Sequence, residues 1–346
     1  MPHSYRTTSE EVDLLIVTTP AGIEGMFRET GRDRSTPPPH RPEPLTTKET
    51  SVPLPVLFGA NVDPLSLPVG RSLHQATLID RLGLDLLTIQ DHPYQHAFDD
   101  TWTLLTFLAA RTTSVTLVPT VISLPLRPPA VLAKAAATLD RLSGSRVQLG
   151  LGAGALWDPI AAMGGPRRRP AEAVAALREA IDVIQAMWSG ERSVRVRGEF
   201  YELAGVHPGP APSPSLGLWL GSYGPRMLAL TGARAQGWLP SYTYMGLDAL
   251  PAAVARIDAA ATEAGRDPSG LRKVYNIAGR VSSTSSSGAF DEPVDVWVER
   301  LVDLVAEVGM NGFVLWPLED HDRQYARFAE EVAPAVREAL ATARLR

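Results

Sequence analysis

The residues best suited to acid–base chemistry are Asp91 and His92, in the segment LTIQDHPYQ. A histidine titrates near neutral pH, so it can donate or accept a proton at the pH at which most enzymes work. The apolar run LDLLTIQ predicts a strand, and a residue just after a barrel strand lies on the face where ligands bind. We interpret His92 as a candidate acid or base and Asp91 as a residue that orients the backbone or holds the turn. A loop histidine without a role is the alternative.

A metal site is the competing interpretation of the same segment. His92 and His96 are four residues apart, the spacing that places two metal ligands on one face of a helix. Pro93 disfavours a helix that includes His92, and no glutamate lies between the two histidines. We therefore predict no metal site and disfavour a metallohydrolase. The chain has no cysteine, which excludes disulfides, zinc–thiolate sites, iron–sulfur clusters and a cysteine nucleophile within it.

Two glycine-rich segments are candidates for contacting a ligand. Residues 150–155 (GLGAGA) match the dinucleotide fingerprint, but no helix follows at once and no acidic residue ends a following strand. We interpret this segment as a strand whose glycines let a flat ligand approach the backbone. Residues 221–225 (GSYGP) follow a predicted strand and open a helix, where free N–H groups and the helix dipole favour an anion. A plain turn between a strand and a helix is the alternative.

Three consecutive arginines, Arg167, Arg168 and Arg169, precede the long predicted helix PAEAVAALREAIDVIQAMW. Cations at a helix N-terminus oppose the helix dipole. An anionic partner, such as a phosphate or a polyglutamate tail, would explain their position. A solvated cluster of charges is the commoner reason for such a run.

The elements that must position these residues alternate between apolar runs and amphipathic stretches from residue 54 onward. This pattern predicts eight βα pairs, with GWLPS as the sixth strand and SVRVRGEFYEL as an inserted hairpin. Eight pairs predict an α/β protein with a (β/α)8 TIM barrel and insertions, and a doubly wound open sheet is the alternative. Residues 281–293 are expected to form a mobile loop after the seventh strand, on the ligand-binding face and able to close over a ligand.

The first part of the chain differs from the rest. Its proline-rich and polar stretch DRSTPPPHRPEPLTTKETS cannot bury enough apolar surface to fold alone. The phrase TTPAGIEGMFRETG resembles the tail that follows the barrel in cupin-type proteins. We therefore predict a mostly unstructured leader or linker at residues 1–53 and a barrel at residues 54–346.

Charge and hydropathy exclude some partners. The net charge is −5, and binding to nucleic acid needs a basic face. No window offers the roughly 18 consecutive apolar residues that a membrane span requires. We expect a cytoplasmic protein that acts on a small molecule, without a nucleic-acid or membrane partner.

Four segments together resemble the bacterial-luciferase-like superfamily of flavin- and deazaflavin-dependent oxidoreductases, over the range from Pro55 to Arg337. They are LIDRLGLDLLTIQDHPYQ, VTLVPTVISLPLRPPAVLAKAAATLDRLSGSRVQLGLGAG, WDPIAAMGGPRRRPAEAV and WLGSYGPRMLALTGARAQGWLPS. The resemblance implies a (β/α)8 barrel. In the deazaflavin branch an Asp-His pair ends the second strand, and its histidine lies against the ring near the carbon that transfers hydride. In this chain the matching pair is Asp91 and His92.

The resemblance also assigns roles around the cofactor. It implies a bulge in the third strand with a non-proline cis peptide behind the ring, a phosphate site at the glycine-rich turn, and glycines at the ring edge. An arginine contact with the anionic tail is our own addition to the family pattern. The residues concerned are Asp91, Thr120, Val121, Gly152, Gly154, Gly221, Ser222, Tyr223, Gly224, Arg167 and Arg168.

The function that the resemblance implies is hydride transfer between the deazaflavin coenzyme F420 and a small organic substrate. His92 would accept or supply the substrate's proton. An FMN-dependent monooxygenase that uses reduced flavin and O₂ is the alternative, and a barrel that only carries a flavin is a third. The resemblance leaves a homodimer open, because members of the family are often dimers.

Overall fold

Short parallel strands form a ring in the computed structural model, which describes residues 54–283 and 288–344. The predicted leader at residues 1–53, and its boundary with the barrel, lie outside the described residues. The strands are β1 (Leu57–Asn61), β2 (Leu86–Ile89), β3 (Thr116–Pro119), β4 (Ile122–Ser123), β5 (Leu149–Gly152), β6 (Val194–Arg197), β7 (Glu202–Val206), β8 (Leu218–Leu220), β9 (Gly237–Trp238), β10 (Arg272–Val281), β11 (Asp291–Glu292) and β12 (Gly312–Pro317).

The strand order confirms the predicted barrel. Its sequence is β3-β2-β1-β12-β10-β9-β8-β5-β4, and every pair in it is parallel. The first and last strands meet, with Leu57 of β1 opposite Gly312 of β12. Leu117 of β3 forms a parallel bridge to Val147, just before β5, which closes the ring on its other side. With β3 and β4 taken as one interrupted strand, the ring has the eight strands of a TIM barrel.

Helices follow the strands, and local chemistry sets several of their ends. The carboxylate of Asp100 caps α2 by accepting a hydrogen bond from the Thr103 amide at 2.9 Å. Gly144, with φ of 75°, ends α3 in the left-handed conformation that favours glycine. A π-helical turn (Phe328–Val332) joins the last two helices. The helices are α1 (Arg71–Arg81), α2 (Thr101–Ala109), α3 (Pro129–Ser143), α4 (Trp157–Ala162), α5 (Pro170–Trp188), α6 (Pro225–Arg234), α7 (Leu250–Glu263), α8 (Val294–Ala306), α9 (His321–Arg327) and α10 (Ala333–Arg344).

Apolar side chains fill the inside of the barrel, so it is a packed core and not a pore. A cluster of six buried side chains from the strands and their ends forms this filling. Val121 and Trp316 pack against the cluster while remaining partly buried. A ligand must therefore lie beyond them, at the loops that follow the strands. The six residues are Leu86, Val118, Trp219, Leu239, Val274 and Val314.

The inserted hairpin is present as predicted and is tied to the barrel by one carboxylate. Strands β6 and β7 pair antiparallel. The side chain of Glu179, on α5, accepts hydrogen bonds from the amides of Glu199, Phe200 and Tyr201 at 2.8–3.2 Å. The hairpin turn is therefore fixed on the long helix that follows β5.

The segment after the seventh barrel strand differs from the predicted loop. Residues 291–292 form β11, which pairs in parallel with the end of β10, and Phe290 is completely buried. Arg280 donates two hydrogen bonds to Asp291 and so fixes β11 beside the end of β10. Residues 284–287 of the expected loop lie outside the described residues. Among the helices that the structure describes, none has the length and hydropathy to cross a bilayer.

Candidate active site

The first wall of the candidate site consists of polar side chains, Asp91, His92, Tyr94 and Arg127, and we call it the polar wall. Asp91, His92 and Tyr94 follow β2, and Arg127 follows the interrupted third strand. Residues in both places lie on the face of the barrel at which TIM-barrel enzymes bind ligands.

His92 is half-buried and has one nitrogen held in place. Its Nδ1 lies 2.7 Å from the phenol oxygen of Tyr94, and its ring centroid lies 5.5 Å from that of Tyr94 and 6.5 Å from that of Phe98. Its Nε2 has no hydrogen-bond partner among the described residues. Burial lowers the pKa of His92 below its usual value, and the negative charge of Asp91 acts in the opposite direction. The imidazole is therefore neutral at neutral pH, with one nitrogen free for a ligand.

Asp91 acts through the groups that it holds. Its carboxylate is inaccessible to solvent and accepts hydrogen bonds from the Ser123 amide at 2.9 Å and from Arg127 at 3.0 and 3.3 Å. Arg127 also donates to Asp100 at 2.5 Å. One buried ion-paired group thus joins the loop after β2, the strand β4 and the N-terminus of α2. These hydrogen bonds fix the turn that carries Asp91, and its assigned role toward a cofactor stays a prediction.

Phenol groups follow the ends of strands on both sides of the barrel. Strands β2 and β9 stand on opposite sides of the ring, and the loops after them carry Tyr94 and Tyr244. Burial raises the pKa of Tyr94, and Asp91 and Tyr244 raise it further. Tyr223 packs against Tyr244 with ring centroids 5.6 Å apart, and its oxygen accepts a hydrogen bond from the Ser241 amide at 3.2 Å. The loops after these strands therefore bring phenols to the same end of the barrel from both sides of the ring.

The second wall is formed by Gly152, Gly154, Gly221 and Gly224, and we call it the glycine wall. Gly152 and Gly221 make room for Val121. A Cβ atom at Gly152 would lie 2.6 Å from Val121 Cγ2, and one at Gly221 would lie 3.1 Å from it. The peptide bond between Thr120 and Val121 is cis, as the sequence analysis expects by position. The bulge of the third strand and the two glycines therefore fit together as one unit.

A cavity of about 830 Å³ lies beside the other two glycines. Its lining runs over the first turns of α5 and α6 and includes Gly154 and Gly224. No side chain caps α6, so amide groups of its first turn have no intrahelical partner. Arg226 lines the cavity and has no ion-pair partner among the described residues. This combination favours an anion. A second cavity, of about 740 Å³, lies between α8 and α10, away from both walls.

Several residues that the sequence analysis assigned to the cofactor contact other groups. Ser222 is buried, and its hydroxyl lies 2.8 Å from that of Thr231, so it does not line the cavity. Arg167 forms an ion pair with Asp158. Arg168 lies over the rings of Phe200 and Tyr201, with its guanidinium carbon 5.3 and 5.6 Å from their centroids.

Of the three arginines, Arg169 is the one that lines the cavity, and it is paired with Glu172. Acidic residues of this chain thus compensate Arg167 and Arg169 at the N-terminus of α5. The anionic partner inferred from their position is not needed to explain these two arginines.

The sequence analysis assigned no role to three residues of the site: Arg127, Tyr94 and Arg226. Arg127 lies far along the chain from Asp91, and only the barrel brings them together. Tyr94 was within the quoted segment but was assigned no role. Arg226 follows Pro225 directly, and a cation beside a glycine-rich helix start is a signal that the sequence does contain.

Two further observations concern possible ligands. The hydroxyl oxygen of Thr120, at the cis peptide, is buried and has no hydrogen-bond partner among the residues that the structure describes. The same is true of Nη1 of Arg168. Within residues 54–283 and 288–344, no group of three or more histidine, aspartate or glutamate residues is placed to hold a metal ion.

Comparisons with known proteins give a consistent family. The model of a family described as luciferase-like monooxygenase matches residues 51–343. An F420-dependent glucose-6-phosphate dehydrogenase from Amycolatopsis mediterranei is 31% identical over 170 residues, which are 47% of this chain and 51% of that protein. A protein of the same description from Beutenbergia cavernae is 29% identical over 315 residues, 77% of this chain and 93% of that protein. The chain spans about half the length of several curated relatives that it matches.

A solved structure shows the same fold. It is described as an F420-dependent secondary alcohol dehydrogenase in complex with an F420-acetone adduct. The TM-score is 0.72 at 19% sequence identity, and the match covers 82% of this chain and 99% of that one. At this identity the likeness concerns the fold, and it agrees with the (β/α)8 barrel described above.

Proposed function

The chain belongs to the luciferase-like monooxygenase family, and from that premise we propose that it is an F420-dependent oxidoreductase acting on a small organic substrate. The observation that carries the proposal is the Asp91–His92 pair at the end of β2, with Asp91 buried against Arg127 and His92 half-buried with Nε2 free. The relatives named as F420-dependent dehydrogenases support the choice of cofactor. When bound, F420 supplies a ring carbon that accepts or gives hydride.

The residues present fit such a group. The buried hydroxyl of Thr120 lacks a partner, and a polar atom of a bound ring would complete its hydrogen bonding. Val121 presents an apolar surface at the top of the barrel core, on which a flat ring can lie. Gly154 has φ of 94°, and a Cβ there would meet Pro125 at 2.6 Å, so backbone and no side chain faces the cavity.

The charged part of the cofactor fits the cavity beside the glycine wall. The free amides at the start of α6, near Gly224, are donors for a phosphate, and Arg226 adds a positive charge. Arg169 lies on the other side, near the start of α5, where a longer anionic tail would pass. We propose Gly224 and Arg226 as the principal anion contacts. The roles of Gly221, Tyr223, Arg167 and Arg168 toward the cofactor stay predictions.

The chemistry of this chain's own residues is orientation and proton handling. His92 places Nε2 at the substrate's oxygen, where it supplies a proton during reduction or accepts one during oxidation. Asp91 and Arg127 fix the loop that carries His92. The phenols of Tyr94, Tyr223 and Tyr244 narrow the opening and exclude water around the reacting atoms.

Titration of the purified full chain with F420 and, separately, with FMN tests the proposal. Binding of F420 quenches or shifts its fluorescence, and we expect saturation with F420 at concentrations where FMN does not compete. Binding of FMN alone would overturn the proposal and favour the monooxygenase alternative. Loss of F420 binding in a Gly224→Asp variant, which places a carboxylate at the start of α6, would support the assigned anion site.

A homodimer and a cytoplasmic location stay predictions. The oligomeric state is measurable by light scattering on the same preparation. A monomer at the concentration used for the titration would show that cofactor binding does not need a second copy.

A further inference from the structure

We propose that Tyr94 is a positioning residue that holds neutral His92 with its hydrogen on Nε2, and so makes His92 a proton donor toward a substrate carbonyl. The inference rests on the proposed function for its consequence, and its structural part stands independently of the cofactor. The geometry that carries it is the 2.7 Å contact between the Tyr94 oxygen and His92 Nδ1.

The direction of this hydrogen bond follows from the groups around it. A phenol has one proton to donate, and in a neutral imidazole one nitrogen is an acceptor and the other a donor. Tyr94 is half-buried, and both Asp91 and Tyr244 act against a negative charge on its oxygen. The phenol therefore keeps its proton, and we infer that it donates to Nδ1, because a phenol hydroxyl is a stronger donor than a neutral imidazole N–H and a weaker acceptor than an unprotonated imidazole nitrogen. If Nδ1 is the acceptor, the hydrogen of neutral His92 is on Nε2.

No other described residue forms a hydrogen bond with the ring nitrogens of His92. The carboxylate of Asp91 is engaged by Ser123 and Arg127, so it is not bonded to the imidazole. Phe98, whose ring also neighbours His92, offers no hydrogen-bonding group in its side chain. Tyr94 is thus the single described residue that selects the tautomer.

The tautomer determines whether His92 first donates or first accepts a proton. Bound reduced F420 would supply hydride to a carbonyl carbon, and the π pair of the C=O bond would then move onto its oxygen. That oxygen takes the Nε2 proton, Nδ1 takes the proton of Tyr94, and the phenol oxygen takes one from solvent. The imidazole stays neutral throughout, which matters because its burial disfavours the charged form. Oxidation of an alcohol runs through the same atoms in reverse.

Nitrogen NMR on the full chain tests the assignment without any substrate. With histidine labelled by ¹⁵N in the ring, the two nitrogens of His92 give separate signals, which a His92→Gln variant identifies. At pH 7.5 we expect Nδ1 at the position of an unprotonated nitrogen and Nε2 at that of a protonated one. A wild-type spectrum with the hydrogen on Nδ1, or with both nitrogens averaged, would overturn the proposal.

Two variants separate the phenol of Tyr94 from a general effect of the opening. Tyr94→Phe keeps the ring and loses the donor, so we expect both His92 signals to move toward averaged positions. Tyr244→Phe removes a phenol from the opposite side, and we expect the wild-type spectrum. Unchanged signals in Tyr94→Phe would overturn the proposal. If F420 fails to bind the wild-type chain, the proposed function fails while the tautomer result stands.

Discussion

The two walls of the site are built in opposite ways. The polar wall holds its residues by hydrogen bonds and charge: Asp91 alone accepts three, from an amide and a guanidinium. The glycine wall works through missing side chains: Val121 and Pro125 occupy the space that Cβ atoms would take at Gly152, Gly221 and Gly154, and the space at Gly224 is open. The reactive side chains and the space for a ligand are therefore provided by separate parts of the barrel. Changes to one wall should therefore affect chemistry and stability differently from changes to the other.

The largest effect is expected when the polar wall loses its buried charge. In Asp91→Ala, Arg127 loses its buried partner and the Ser123 amide loses its acceptor, which we expect to cost about 3–5 kcal/mol of unfolding free energy. Urea denaturation measures this. Asp99→Ala removes an exposed carboxylate eight residues along the same loop region and should change stability by less than about 0.5 kcal/mol. Equal losses in the two variants would mean that the buried ion pair contributes nothing.

A smaller effect is expected when a side chain enters the glycine wall. A Cβ in Gly152→Ala meets Val121 at 2.6 Å, and we expect a loss of about 1–3 kcal/mol from overpacking. Gly224→Ala has no atom within 4 Å of the new methyl group and should keep wild-type stability. A cycle with Val121→Ala checks the cause, because the double variant should recover part of the loss. Strict additivity would show that Val121 is not the obstacle.

The next effect concerns affinity and leaves stability unchanged. Arg226→Ala removes a cation beside Gly224 that has no ion-pair partner in the described part of the chain, and we expect F420 to bind roughly tenfold more weakly because one charge-assisted hydrogen bond is lost. Fluorescence titration gives the dissociation constant. Arg256→Ala, an exposed arginine on α7, is the matched control. The same weakening in both variants would point to overall charge and remove the local role of Arg226.

The smallest effect is a pH dependence that comes from His92. Its pKa is lower in the folded protein than in the unfolded chain, so between these two values the unfolded chain binds a proton that the folded one does not. Stability therefore falls as pH drops below about 6.5, by less than about 1.4 kcal/mol per pH unit, and His92 adds no pH dependence above that range.

Thermal or urea unfolding from pH 7.5 to 5.5 measures this slope. His92→Asn should remove part of this slope, and the part that remains has the same sign because burial also lowers the pKa of His321. A His92→Asn curve parallel to that of the wild type would contradict the burial described for this ring.

The sequence predicted most of the fold because the signals for it are local. Apolar runs and amphipathic stretches alternate along the chain, and even the two-residue strand β9 was assigned from GWLPS. The Asp91–His92 pair was found because the two residues adjoin a strand end. The break between β3 and β4 came from the family resemblance, since no local pattern in SVTLVPTVI marks it.

The partners within the site were not predictable in the same way. Asp91 pairs with Arg127 because the barrel places the loop after β2 beside the end of the third strand. Ser222 turns its hydroxyl to Thr231 within α6, which depends on how that helix packs. Side-chain direction at a strand end is decided by tertiary contacts, so sequence spacing identified the turn without identifying which of its residues face the cavity.

The pairing of β1 with β12 has a consequence for how the protein folds. Leu57 lies opposite Gly312, so the two strands that meet are almost at opposite ends of the described chain. Bringing such distant segments together costs loop-closure entropy that no local contact offsets early in folding. During synthesis, β1 keeps one edge unpaired until the ribosome has released residues beyond 317. We expect chaperone dependence and aggregation to be greatest for chains stalled before that point, whatever cofactor is available.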